Sequence, residues 1–138
     1  AQAKAIFSGE CDIVLMNTYY FALMKFNNKK PEQKKWAKAT DVIFYNQGGR
    51  GQHINVSGGA IAKYSKNNEE AIRFLEWMTQ PKAQKIYSEV NFEYPVNPKV
   101  KLGGKIMEWG TFKADNLSIS EIAKNSKKAQ MIIDKVGW

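Results

Sequence analysis

Apolar positions along the chain change period several times, and each change marks an element. Ala3, Ile6 and Phe7 recur at helical spacing and run into Ser8-Gly9-Glu10, where glycine suits a helix C-cap. Residues 11–16 are short, almost wholly apolar and partly β-branched, the pattern of a strand buried on both faces. Helix-forming residues 19–26 follow, with Asn17 or Thr18 as N-cap. After a polar turn over 27–32 and a short lysine-rich segment, residues 41–45 read as a second strand. Gly48-Gly49-Arg50-Gly51 then interrupts the pattern as a turn or hinge, and residues 53–64 resume an extended, β-branched course through Ile54, Val56 and Ile61.

The second half is more helical. Asn67 and Glu70 have capping-box spacing, and Ala71, Phe74, Leu75 and Met78 follow at i, i+3, i+4 and i+7. Pro81 suits the first position of another helix, whose apolar face is Ala83, Ile86, Tyr87 and Val90. Residues 92–98 contain Pro95 and Pro98, each of which pushes its predecessor to extended geometry and forbids a helix. Ser118 and Glu121 form a second capping box, opening a helix with Ile122, Ser126, Ala129, Ile133 and Val136 on one face. Strands alternate with helices, so the expected class is α/β.

Composition narrows the function. With 138 residues, 43% of them hydrophobic, the chain can bury a core, and no apolar run approaches the roughly 18 residues of a membrane span. Its first residues also lack the long apolar region of a secretory leader. One cysteine, Cys11, and one histidine, His53, leave no disulfide framework and no zinc site of Cys and His within the chain. The net charge is +8, yet all the cations except Arg50 and Arg73 are lysines, scattered among Glu, Asn and Gln. Solvated helix faces explain them better than a nucleic-acid footprint, although they can steer a small anion.

Catalytic constellations are hard to find. His53 lies in a glycine-rich extended stretch without a partnered nucleophile, and Gly48-Gly49-Arg50-Gly51 lacks the ending of a phosphate loop. No enzyme is expected. The most suggestive group is Asn17-Thr18-Tyr19-Tyr20, where a strand gives way to a helix. In open α/β folds ligands sit outside the carboxyl ends of strands, beside helix N-termini. Phenol loses its proton near pH 10 in isolation, so it becomes an anionic donor only when a hard, highly charged cation displaces that proton. Ferric iron is such a cation. Paired aromatics at a helix start also serve as ordinary core or rim packing, and spacing alone does not separate the two.

Several segments together resemble the ferric-iron-binding periplasmic solute-binding proteins of bacterial ABC importers. They are Gly9-Glu10-Cys11-Asp12-Ile13, Asn17-Thr18-Tyr19-Tyr20, the run from Gly49 to Gly58, Phe74-Leu75-Glu76-Trp77-Met78, Tyr94-Pro95-Val96-Asn97-Pro98, Trp109-Gly110 and Val136-Gly137-Trp138. The resemblance implies a type II periplasmic-binding-protein fold, of which this chain is the C-terminal part contributing to both lobes. It further implies Fe(III) bound by the phenolates of Tyr19 and Tyr20. Asn17 matches a position that in some members helps bind an accompanying, synergistic anion. His53 matches a strand after the hinge, and no ligand role is carried to it.

On that resemblance, residues 1–48 belong to the C-terminal lobe with the Tyr-Tyr motif, 49–100 to the other lobe, and 101–138 return to the first. The expected location is the periplasm. Expected partners are the ABC permease, a missing N-terminal part of the same protein that carries the remaining iron ligands, and a second copy in a homodimer or swapped dimer. Two other readings stay open: the same fold holding a small anion, or a basic polyanion or nucleic-acid module, which would lose affinity steeply with salt.

Overall fold

The computed structural model describes residues 2–137. Among the described residues there are six α-helices: α1 Gln2–Phe7, α2 Thr18–Lys25, α3 Pro31–Lys38, α4 Asn68–Met78, α5 Pro81–Ile86 and α6 Ile119–Val136. A π-helical turn, Tyr87–Asn91, continues α5, and a 3-10 segment spans Gly104–Trp109. The chain divides into two compact units, one comprising the chain up to Ile43 with Asn55–Thr111, the other Phe44–Ile54 with the chain from Phe112 onward.

In the first unit α1 and α2 both pack on α3. The sequence reading missed α3, because its face is not periodically apolar. It forms for local reasons: Pro31 stands at its first turn with Glu32, while Lys35 and Lys38 occupy the last turn, matching the helix dipole at both ends. The helix before Gly9 is as expected, closed by Gly9 at φ 76° and by Glu10 N–H donating to the Ala5 carbonyl at 2.9 Å.

The core is small: Ala3, Phe21, Ala22, Ala37, Ala83 and Ile106, with the polar Gln84 and Ser88 buried among them. Phe21 meets Trp109 at 5.6 Å between ring centroids, and Lys25 pairs with Glu108 at 2.6 Å, so α2 is tied to the 3-10 segment by both apolar and ionic contact. The expected face Ala83, Ile86, Tyr87 and Val90 is corrected. Ala83 is buried, but Ile86 and Val90 are exposed, and Gln84 and Ser88 go inside instead. The wider π turn after Ile86 rotates the later positions, Ser88 inward and Val90 outward, off the α-helical register.

Gln84 compensates its burial with two hydrogen bonds, donating to the Met78 carbonyl and accepting from the Val96 amide, each at 2.7 Å. Asn97 donates to the Thr79 carbonyl at 2.9 Å and the Tyr94 hydroxyl donates to the Gly110 carbonyl at 3.1 Å. Burial pushes the Tyr94 phenol up to about 12. The proline-containing segment is non-helical as expected, and its side chains bolt it to the preceding helices.

The strand expectations need correction. Residues 11–16, 41–45 and 53–62 form no helix and 63–64 make a turn, and among the described residues none of them pairs into a sheet; the one isolated bridge is the parallel Gln52–Ala114 contact. Ile13 is 81% exposed and Ile43 82%. An apolar alternating segment reports a neighbour on each face, and the described residues supply no ladder for these. The capping box at Asn67 also fails to form: its ψ of 53° leaves the extended region a side-chain cap needs. The box at Ser118 does form, Glu121 N–H donating to the Ser118 hydroxyl at 3.2 Å.

The second unit is a clasp. Gln52 N–H donates to the Lys113 carbonyl at 2.9 Å and Asp115 N–H to the Gln52 carbonyl at 2.8 Å. Gln47 donates to the Lys113 carbonyl and accepts from the Lys113 amide, and Arg50 pairs with Asp115 through Nε at 2.8 Å and a terminal nitrogen at 2.5 Å. That hydrogen bond holds the Asp115 carboxyl below the usual carboxylate range. Gly51, at φ 103°, packs against the backbone of Lys113 and Ala114, where a Cβ would lie 2.7 Å from their atoms. No helix of the described residues is long and apolar enough to cross a membrane.

Candidate metal centre

The site is built on the N-terminus of α2. Asn17 takes extended angles, φ −72° and ψ 138°, and its carbonyl accepts the Tyr20 amide at 3.1 Å, which starts the helix. Its side chain does not cap. Instead Nδ2 donates to the Tyr19 hydroxyl at 2.9 Å. This leaves the first turn without a side-chain acceptor and places an amide donor on a phenol oxygen, where it stabilises the ionised form.

Tyr19 and Tyr20 are not splayed apart. Their ring centroids lie 4.4 Å apart with the planes tilted 53°. Tyr19 is half-buried, whereas Tyr20 is 55% exposed. The Tyr19 phenol is held above its ordinary value near 10, first by partial desolvation and then by the Tyr20 hydroxyl beside it. The Asn17 hydrogen bond pulls the other way, and the negative charge of Glu93 adds to the rise. Tyr19 therefore stays protonated at neutral pH until a cation strong enough to displace its proton arrives. Tyr20 also lines an open hollow of about 660 Å³, together with Leu15, Met16, Asn17, Leu23 and Met24 among others.

Three further residues complete the polar surround, and sequence reasoning missed all of them. Asn55 donates to Asn17 Oδ1 at 3.3 Å, and the Ser57 hydroxyl donates to Glu93 Oε1 at 3.4 Å. Residues 55 and 57 lie in one non-helical stretch, which reaches both Asn17 and Glu93. The i, i+2 spacing was visible, but nothing in it named the partners. Glu93 is fixed from behind: its amide donates to the Tyr87 carbonyl at 3.2 Å, and the buried Ser88 hydroxyl donates to its carbonyl at 3.1 Å. Left-handed Phe92, at φ 60°, turns the chain between them.

His53 belongs to the second unit, and Cys11 is a free, half-buried thiol. Among the described residues no three His, Cys, Asp or Glu side chains come together as a metal cluster. What the first unit brings together is a pair of phenols, an amide donor and a nearby carboxylate. Oxygen donors of this kind suit a hard, highly charged cation.

Comparison with known proteins agrees with this chemistry. Residues 1–85 match the family described as bacterial extracellular solute-binding protein, and the chain belongs to that family. Iron uptake protein A1 of Synechocystis is 38% identical over 138 residues, which are all of this chain and 38% of that protein. A Trichodesmium protein solved in complex with iron and citrate superposes with a TM-score of 0.91 at 43% identity, over 99% of this chain and 43% of its own. The ferric binding protein of Campylobacter jejuni gives a TM-score of 0.87 at 43% identity, over 99% of this chain and 43% of its own. The fold is thus that of a type II periplasmic binding protein, in the α/β class. The named relatives are binding and uptake proteins. The chain spans about two fifths of their length.

Proposed function

We propose that this chain is part of the extracytoplasmic solute-binding component of an ABC importer. It captures ferric iron through the phenolates of Tyr19 and Tyr20 and delivers it to a membrane permease, doing no bond chemistry itself. The observation that carries the reading is the phenol pair at the start of α2, its rings 4.4 Å apart, with Asn17 donating to one hydroxyl. The names of the similar proteins support it, and the Trichodesmium complex shows one of them with iron and citrate together. An accompanying anion here would find Asn17 and the uncapped first turn of α2. The described family is extracellular, and for this chain we place the site of action in the periplasm.

Two phenolates leave most of the six positions around ferric iron to other donors, so the rest of a longer protein supplies them. The 138-residue chain alone is accordingly expected to bind Fe(III) weakly, and its exposed apolar residues favour self-association. The test is ferric loading of the full-length protein, read by the visible tyrosinate-to-iron absorption. Tyr20→Phe should abolish or strongly shift that band. Unchanged metal binding in Tyr20→Phe would point to a different cargo, and binding that survives loss of both tyrosines but falls steeply with salt would point to a polyanion.

A further inference from the structure

We propose that Asn55 is a positioning residue of the tyrosine site, fixing which end of the Asn17 carboxamide meets the Tyr19 hydroxyl; the inference rests on the iron reading above. A carboxamide carries an acceptor oxygen on one arm and a donor nitrogen on the other. Both arms of Asn17 are engaged. Asn55 Nδ2 donates to its Oδ1 at 3.3 Å, and its Nδ2 donates to the Tyr19 hydroxyl at 2.9 Å. All three residues belong to the first unit. Asn55 satisfies the oxygen of Asn17, and the nitrogen is then the arm left for the phenol. Nothing local to α2 does the same, since the Asn17 side chain makes no cap bond to the helix it precedes. The stretch that carries Asn55 is held again two residues on, where the Ser57 hydroxyl donates to Glu93 Oε1 at 3.4 Å.

The orientation matters once the phenol oxygen is shared with a cation. A hydroxyl both donates and accepts, so without metal either arm of Asn17 satisfies it. An oxygen bound to a cation has no proton to give and only accepts. Nitrogen inward then keeps a hydrogen bond, whereas oxygen inward sets lone pairs against lone pairs. An accompanying anion beside Asn17 is an acceptor as well and calls for the same arm. By holding the oxygen from outside, Asn55 presents Asn17 as a donor in advance, and no free energy is lost in turning the amide when iron arrives. Asn55 needs no contact with the cation to do this.

The experiment uses the full-length protein and Asn55→Asp, a change of nearly the same shape whose carboxylate only accepts and so draws the Asn17 nitrogen toward itself and away from Tyr19. Ferric affinity is read at the tyrosinate-to-iron band by competition with nitrilotriacetate. Because the variant also adds a charge, the same substitution is made in Asn17→Ala, which keeps the effect of charge and lacks the amide, so the difference isolates orientation. Asn55→Asp is expected to weaken ferric binding about tenfold more with Asn17 present than in Asn17→Ala, the size of one hydrogen bond to a charged acceptor. Equal effects in the two backgrounds overturn the inference. Orientation is also read without metal, as nuclear Overhauser contacts from the Asn17 side-chain NH2 protons to the Tyr19 ring, expected in the wild type and lost in Asn55→Asp. Contacts that are absent from the wild type, or unchanged in Asn55→Asp, overturn the inference even where a variant loads no iron. A wild-type protein that loads no iron overturns the iron reading, and the metal-free contacts then decide the positioning role on their own.

Discussion

The non-helical stretches of the first unit that carry apolar side chains differ in what they depend on. Residues 92–98 are tied to their surroundings by side chains that donate to or accept from backbone groups: Gln84 to Val96, Asn97 to Thr79, Tyr94 to Gly110. Among the described residues, 11–16 show no such tie, in 41–43 the Asp41 carboxylate accepts only from the amide of its own neighbour Val42, and Ile13 and Ile43 stand in the open. Side-chain hydrogen bonds to backbone tie a non-repetitive segment in place here, because both partners of each bond lie within this chain. A strand pattern is a promise of neighbours, and its stabilisation arrives only with them.

The sharpest test sets a buried isoleucine of the packed 3-10 segment against one in the open stretch. Ile106 is fully buried, and Ile106→Ala should cost about 3 kcal/mol in urea unfolding. Ile13→Ala, at an 81% exposed position, should cost under about 0.5 kcal/mol in the same chain. A large loss at Ile13 would mean that residues 11–16 are already packed in solution.

A smaller effect belongs to Tyr94. Its phenol in the folded state titrates at about 12, against about 10 when unfolded. The raised value means that the neutral form is favoured by folding, so the contribution is fully present below pH 10 and is lost as pH rises through 12. Tyr94→Phe should flatten this alkaline decline in stability while losing one hydrogen bond to Gly110. An alkaline limb of unchanged steepness would show that another group causes it.

How much of this could be read from residues alone varied with the physics involved. Helix ends were readable where a local rule decides them, as at Gly9, Pro81 and Ser118. The α3 helix was not, since its stability lies in terminal charges and a proline rather than in apolar period. The phenol pair was readable because the two residues are adjacent. Glu93 was not: it acts on the Tyr19 phenol across more than seventy residues of chain, and no spacing rule reaches that far. Its position depends on a π turn and a left-handed phenylalanine, neither of which has a dependable sequence signature.

The clasp of the second unit carries a temporal consequence. Arg50 and Asp115 are 65 residues apart, and so are the segments whose backbones meet at Gly51 and Ala114 to within a residue or two. Closing so long a loop is entropically unfavourable until the intervening residues have condensed, so these bonds form after the folding barrier rather than on the way up it. Weakening them, as in Arg50→Ala, should leave refolding rates nearly unchanged in stopped-flow measurements and quicken unfolding instead. The clasp would then act as a brake on opening, governing how long the native chain lasts rather than how fast it is made.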